Sequence, residues 1–152
     1  MAATTGRTGI GVTLKLGDGA SPEVFATVAN VTALNAGGVT LGTVEATHLA
    51  SPNFYEEFLP TLKSAEVWTF TLQWDPSNAT HDGTTGLRAK MESRALTNVK
   101  VNPYAIGLAK GFAASGYVTQ LGNVSITPTG IMTQECQFRP TGQVTEETFT
   151  AA

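Results

Sequence analysis

The stretch Glu66-Val-Trp-Thr-Phe-Thr-Leu-Gln-Trp-Asp-Pro76 constrains this chain more than any other. Trp68, Phe70, Leu72 and Trp74 occupy every second position, the period of a β-strand with one buried face. The opposite positions, Val67, Thr69, Thr71 and Gln73, carry no charge. A sheet standing alone in water usually guards its exposed surface and edges with Lys or Glu. What covers this bare Thr/Gln face is therefore the question the sequence poses.

The rest of the chain extends the β pattern. Ile10, Val12, Leu14 and Leu16 alternate, and Gly17-Asp-Gly19 supplies turn chemistry. Val24 to Leu34 is expected to return as the second strand of a hairpin. Val39 to Thr47, Val99 to Tyr104, Tyr117 to Thr127 and Ile131 to Arg139 read as further strands. One helix is expected, capped by Thr84 or Thr85 and running through Leu96, with Leu87, Met91 and Ala95 on one face. Residues 105–116 read as a Gly/Ala-rich connection. About seven strands and one helix predict a mainly β fold, a β-sandwich or barrel with a flanking helix. The 152 residues are expected to form one domain (1–152), enough chain to bury about two-thirds of its unfolded surface. Polar arms are expected at 1–8 and 142–152, and a long loop at 35–65.

That loop is unusual for a compact domain. It carries Phe54, Tyr55, Phe58 and Leu59, with a helical turn expected before Pro60. Either these four side chains fold back on their own core or they pack on another subunit. The charged fraction favours a covered surface, being 14% against a typical ~25%.

Catalytic chemistry is hard to find. His48 and His81 lie in no metalloprotease or nucleophile-elbow context. The loop Asp75 to Gly83 is rich in oxygen ligands but lacks the ordered spacing of a calcium loop, so it reads as a solvated turn. Glu56 and Glu57 are adjacent, and side chains of neighbours diverge. Cys136 alternates with Met132 and Phe138 as a small core residue, and a single cysteine excludes an internal disulfide. No catalytic, metal or cofactor residue is nominated, and no enzyme activity is expected. No secretory signal is visible, and no run approaches a membrane span. Net charge is −3, unevenly spread: five basic residues (Arg88, Lys90, Arg94, Lys100, Lys110) and one acid give +4 over 86–112, leaving −7 elsewhere. No aromatic residues interleave with this basic set as a nucleic-acid platform would need.

Several blocks, in order, resemble the major tail (tail tube) proteins of long-tailed, lambda-like bacteriophages. They are Gly9-Ile-Gly-Val-Thr-Leu-Lys-Leu-Gly-Asp-Gly19 with Ala20 to Phe25, then Val31-Thr-Ala-Leu34, Val44-Glu-Ala-Thr47 and Ser51-Pro52. Glu56-Glu-Phe-Leu-Pro60, Gly116-Tyr-Val-Thr119 and Arg139-Pro-Thr-Gly-Gln-Val-Thr145 follow. The resemblance implies a β-sandwich with one helix, assembled as hexameric rings stacked into a tube that conducts DNA from capsid to host. It implies a virion component built in the host cytoplasm, with tape measure, tail terminator and baseplate or tip proteins as partners. DNA would pass through without specific binding, and no membrane or cofactor is involved. Phe54, Tyr55, Phe58 and Leu59 become inter-subunit contacts, and the bare strand face would be covered by neighbouring subunits. A carbohydrate-binding or adhesin-like sandwich is the alternative, and would use Trp68, Trp74 or Tyr55 as an exposed stacking platform. A β-fold hydrolase would need more titratable groups than His48 and His81 provide.

Overall fold

The alternation around Trp68 is a strand, and its burial follows the pattern strictly. In a computed structural model that describes residues 6–149, Trp68, Phe70 and Leu72 are buried and Thr69, Thr71 and Gln73 half-buried. The strands are β1 (Thr13–Gly17), β2 (Phe25–Thr27), β3 (Val31–Asn35), β4 (Val39–Glu45), β5 (Phe58–Ala65), β6 (Trp68–Gln73), β7 (Thr97–Asn102), β8 (Lys110–Leu121), β9 (Thr133–Pro140) and β10 (Thr145–Thr148). Helix α1 (Leu87–Glu92) lies between β6 and β7 and packs on β8.

Eight strands form one antiparallel sheet in the order β2-β1-β7-β8-β9-β6-β3, with β10 also on β8. β2 and β3 stand at opposite ends of this order, yet only residues 28–30 separate them in the chain. The sheet must therefore curl back on itself, and the result is a β-sandwich with one helix on its flank. Inside it, Trp68 and Phe70 of β6 face Phe138 and Cys136 of β9 directly across the ladder. The Trp68 and Phe138 rings sit 5.7 Å apart, tilted by 55°, a favourable aromatic geometry. Leu14 and Leu16 of β1 face Val101 and Val99 of β7 and complete the core with Leu87 of α1. Buried Gln134 is satisfied, its Nε2 donating to the Gly122 carbonyl at 3.0 Å.

Several expectations need correction. β6 is bare of charge because it is an interior strand between β9 and β3 of its own chain, so its edges need no second subunit. The expected return strand 24–34 is broken by Asn30 at φ 61°, and only Phe25–Thr27 pairs with β1. Its second half crosses to β6. From Lys110 onward the expected Gly/Ala-rich connection is the first half of β8, and only its first few residues lie outside the strand. A Cβ at Gly111 would strike the Val101 carbonyl, and one at Gly116 the Arg139 carbonyl, so glycine here marks close backbone approach rather than a turn. The helix is shorter than expected and is capped by neither threonine: Gly86 takes the cap position. Met91 is exposed rather than packed with Leu87. Part of the expected C-terminal arm, Thr145–Thr148, is a strand, and residues 150–152 lie outside the described ones, as do residues 1–5 of the expected N-terminal arm.

Leu72 is completely buried at the centre of β6. Leu72→Ala should lower unfolding free energy by about 2–5 kcal/mol in urea titration with an unchanged m-value.

Candidate functional site

The excursion over 35–65 is a β-hairpin, and it is where the chain departs from ordinary burial. β4 and β5 pair only with each other and form a separate two-stranded sheet. Val44 lies opposite Leu59, and Val39 opposite Ala65. A register shift between Leu41 and Thr43 puts an extra residue into β5, so its apolar side chains change face part-way along. Both faces are consequently apolar and open: Val39, Leu41, Val44, Phe58, Leu59 and Leu62 are all more than half exposed. An isolated two-stranded hairpin is marginal in water at best. This one has the composition of a strand pair that expects cover on each side.

The tip, residues 46–57, is held by a polar knot. The Ala46 N–H donates to the Glu57 carbonyl at 2.8 Å and the Glu57 N–H to Thr47 Oγ1 at 2.9 Å, closing the loop. The Ser51 hydroxyl donates to Glu57 Oε2 at 2.6 Å and accepts from the His48 N–H at 3.0 Å. His48 Nδ1 accepts from the Ala50 N–H at 3.2 Å, which leaves Nε2 to carry the proton toward Glu57 Oε2, 3.4 Å away. With the polar groups turned inward, the apolar ones point out. Leu49 and Phe54 are fully exposed and Tyr55 three-quarters exposed. Asn53 and Phe54 both take positive φ, 53° and 61°. Such a conformation costs a bulky side chain on the order of 1–3 kcal/mol, and persists where surrounding bonds over-determine it. The tip is thus preorganised to present aromatic surface.

Phe54, Tyr55, Phe58 and Leu59 are therefore gathered on one projecting element, though not on a helical turn: Pro52–Phe54 is a short 3-10 turn and Phe58 opens β5. Sequence reasoning missed Val39, Leu41, Val44, Leu49 and Leu62. The Val39-Thr-Leu41 alternation was a usable signal for the first two, while Leu49 and Leu62 carry no periodic mark.

The other candidates have local structural work. Buried His81 ties the loop after β6 to the 28–30 corner, with Nε2 donating to the Ala29 carbonyl at 2.7 Å and Nδ1 accepting from the Asp75 N–H at 3.2 Å. The Asp75 carboxyl is held below its usual range by the Ser77 hydroxyl and N–H. The Asp82 carboxyl is held down by the N–H groups of Thr85 and Thr84, with Gly86 adding a third. These oxygens organise turns. Cys136 lies in the core, and burial pushes its thiol up to about 12. Trp68 is buried and Trp74 packs against the core, so neither offers a stacking platform, and Tyr55 alone of the three is open. Of the basic set, Arg88 pairs with Glu92 at 3.8 Å. Lys100 pairs with Glu147 at 3.0 Å and sits 4.3 Å over the Phe25 ring. No helix is long and apolar enough to cross a membrane among the described residues.

Solved particles contain chains of the same shape. A chain from the virion of a native gene transfer agent particle aligns with a TM-score of 0.70 at 17% identity, over 93% of this chain and 99% of that one. A chain from the tail of an empty gene transfer agent particle, solved with C6 symmetry, gives 0.70 at 18% identity over 96% and 100%. A chain of the anti-feeding prophage cap that terminates its tube gives 0.69 at 14% identity over 98% and 95%. This chain has their fold. No family model matches the sequence, and no curated protein matches it. The fold is shared at 14–18% identity, as sandwiches can share architecture without sequence similarity.

The polar knot makes a prediction separate from the core. Glu57→Ala should change global stability by no more than about 0.5 kcal/mol. It should sharply accelerate amide hydrogen exchange over residues 46–57 in mass spectrometry. Unchanged exchange there would show that the tip is held by something else.

Proposed function

We propose that this chain is the tube-forming structural subunit of a phage-like tail. Copies close into rings of six, rings stack into a tube, and DNA passes through the lumen during delivery. The observation that carries this reading is the β4–β5 hairpin, exposed on two apolar faces and rigid at its tip, on a fold shared with chains of a C6 tail and of a tube cap. A heterologous contact that closes makes a ring, and one that does not makes a filament. The long apolar hairpin supplies such a contact, because its strands pair only with each other and leave their large apolar side chains more than half exposed. The role is structural rather than catalytic. Natural partners are a tape measure protein in the lumen, a terminator at one end and baseplate or tip proteins at the other. The fold neighbours include a baseplate and a sheath/tube terminator. The protein would reside in the virion tail after assembly in the host cytoplasm. The carbohydrate-binding alternative keeps only Tyr55 of its platform and gains no second observation.

Phe58 tests the hairpin contact. It is 55% exposed in the single chain, so Phe58→Asp should leave the unfolding midpoint nearly unchanged. It should abolish rings and tubes in negative-stain microscopy, because the contact would bury an unpaired carboxylate. Normal tubes from this variant would remove the hairpin from the assembly.

The lumen offers a second test. α1 packs on β8 with Leu87 buried in the core and Arg88 exposed, and in the proposed tube Arg88 and Lys90 should face away from the channel. Few cations then meet the phosphates, and there is little counterion release to retain DNA. Duplex binding by assembled tubes should be weak, with log affinity falling against log salt at a slope shallower than about −2. A steep slope, or Arg88 and Lys90 lining the lumen of an assembled structure, would overturn the placement.

A further inference from the structure

The base of the hairpin meets the body of the sandwich in an open groove of about 740 Å³. Its floor and walls are Val39, Tyr117, Pro140 and Val144, and its two charged residues are Lys63 and Arg139. No acid lines it. Neither cation makes an ion pair among the described residues, where the salt bridges are His48–Glu57, Arg88–Glu92 and Lys100–Glu147. The distal end of the same hairpin has the opposite character. Glu45, Glu56 and Glu57 lie there without a Lys or Arg, and Glu45 and Glu56 make no ion pair among the described residues. Beside them project Phe54 and Tyr55. One element thus ends in an apolar, anionic tip and begins in an apolar, cationic groove.

We infer that the groove is the receptor for the hairpin tip of a second copy, with Glu45 and Glu56 of the incoming tip answering Lys63 and Arg139, and with Phe54 and Tyr55 seated against Tyr117 and Pro140. This rests on the reading of the hairpin as the assembly contact and names what the hairpin contacts. The occupant cannot be the copy's own tip. The seven residues of β4 separate base from tip by roughly 20 Å of extended strand. Every copy then carries one tip and one groove, which is the condition for head-to-tail propagation. Charge complementarity also sets polarity: two tips repel one another, as do two grooves. Apolar contact alone would not exclude tip-to-tip pairs.

Cysteine coupling tests the assignment in the full-length protein. Glu56→Cys/Arg139→Cys, treated with a short bismaleimide, should give a ladder of covalent oligomers, because each copy couples through tip and groove. Buried Cys136 will not compete at neutral pH. Glu56→Cys/Lys90→Cys should give no ladder. At about 1 M salt, where the Debye length is about 3 Å, the first ladder should weaken severalfold. Lys63→Glu/Arg139→Glu should fail to assemble alone but join a Glu45→Lys/Glu56→Lys partner when mixed. No ladder from the first pair, an equal ladder from the Lys90 pair, or coupling only to a different tail protein would each overturn the assignment. The hairpin contact is judged separately by Phe58→Asp. Tubes that need Phe58 while the cysteine pair stays uncoupled sink the groove and leave the tube. Tubes indifferent to Phe58 sink the hairpin contact and the groove and leave the tube, whereas a wild-type chain that forms neither rings nor tubes sinks the parent reading.

Discussion

The corner at residues 28–30 is the constraint on which the sandwich depends. Strands that belong at opposite ends of the sheet are joined there by three residues, so the sheet closes or the chain breaks its pairing. The corner is bonded on every side. The Val28 N–H donates to the Leu14 carbonyl at 2.8 Å and the Gln73 N–H to the Asn30 carbonyl at 2.9 Å, one bond into each end of the sheet. Ala29 is gripped by Thr80 Oγ1 through its N–H and by His81 through its carbonyl. Asn30 supplies the positive φ that a β-branched residue would resist. A buried histidine that looked like possible chemistry is thus a strut, fixed in one tautomer by a donor and an acceptor role.

Closure explains why the hairpin stands apart. The core is already filled by Trp68, Phe70, Leu72, Phe138 and their neighbours, and none of the thirteen buried apolar residues among the described ones comes from β4 or β5. The chain leaves the sandwich after β3 and re-enters it at β6, so the intervening strands can pair only with each other. Their apolar surface has no place in the closed core. In a protein with only 14% charged residues, that surface is not diluted by charge either. The same economy of charge makes the few unpaired ions at the ends of the hairpin informative.

Rigidity is concentrated at the hairpin tip by a small number of polar bonds. Thr47, His48, Ser51 and Glu57 spend their hydrogen bonds on one another, which frees the apolar residues between them to face outward in strained backbone. A loop that is ordered before contact loses less entropy on contact. This fits an element whose partner is met only during assembly.

The sequence alone determined the elements that obey a short period. The alternation of Trp68, Phe70 and Leu72, and of Met132, Gln134, Cys136 and Phe138, announced two core strands, and they lie side by side as hydrogen-bonded neighbours in the sheet, with Met132 left exposed just before β9 begins. It also singled out Phe54, Tyr55, Phe58 and Leu59, because aromatics in a long polar excursion have no local reason to be there. Tertiary structure decided everything that depends on which strand meets which. Residues 24–34 look like one strand, since local propensity does not register that Asn30 turns the chain to a different partner. Residues 110–116 look like a loop, since their glycines answer to carbonyls of β7 and β9 that are distant in sequence. The groove at the base of the hairpin joins residues 39, 63, 117 and 139, and no window along the chain contains them together. Period and turn chemistry are written locally; pairing, closure and the meeting of unpaired charges are long-range, and only the folded chain resolves them.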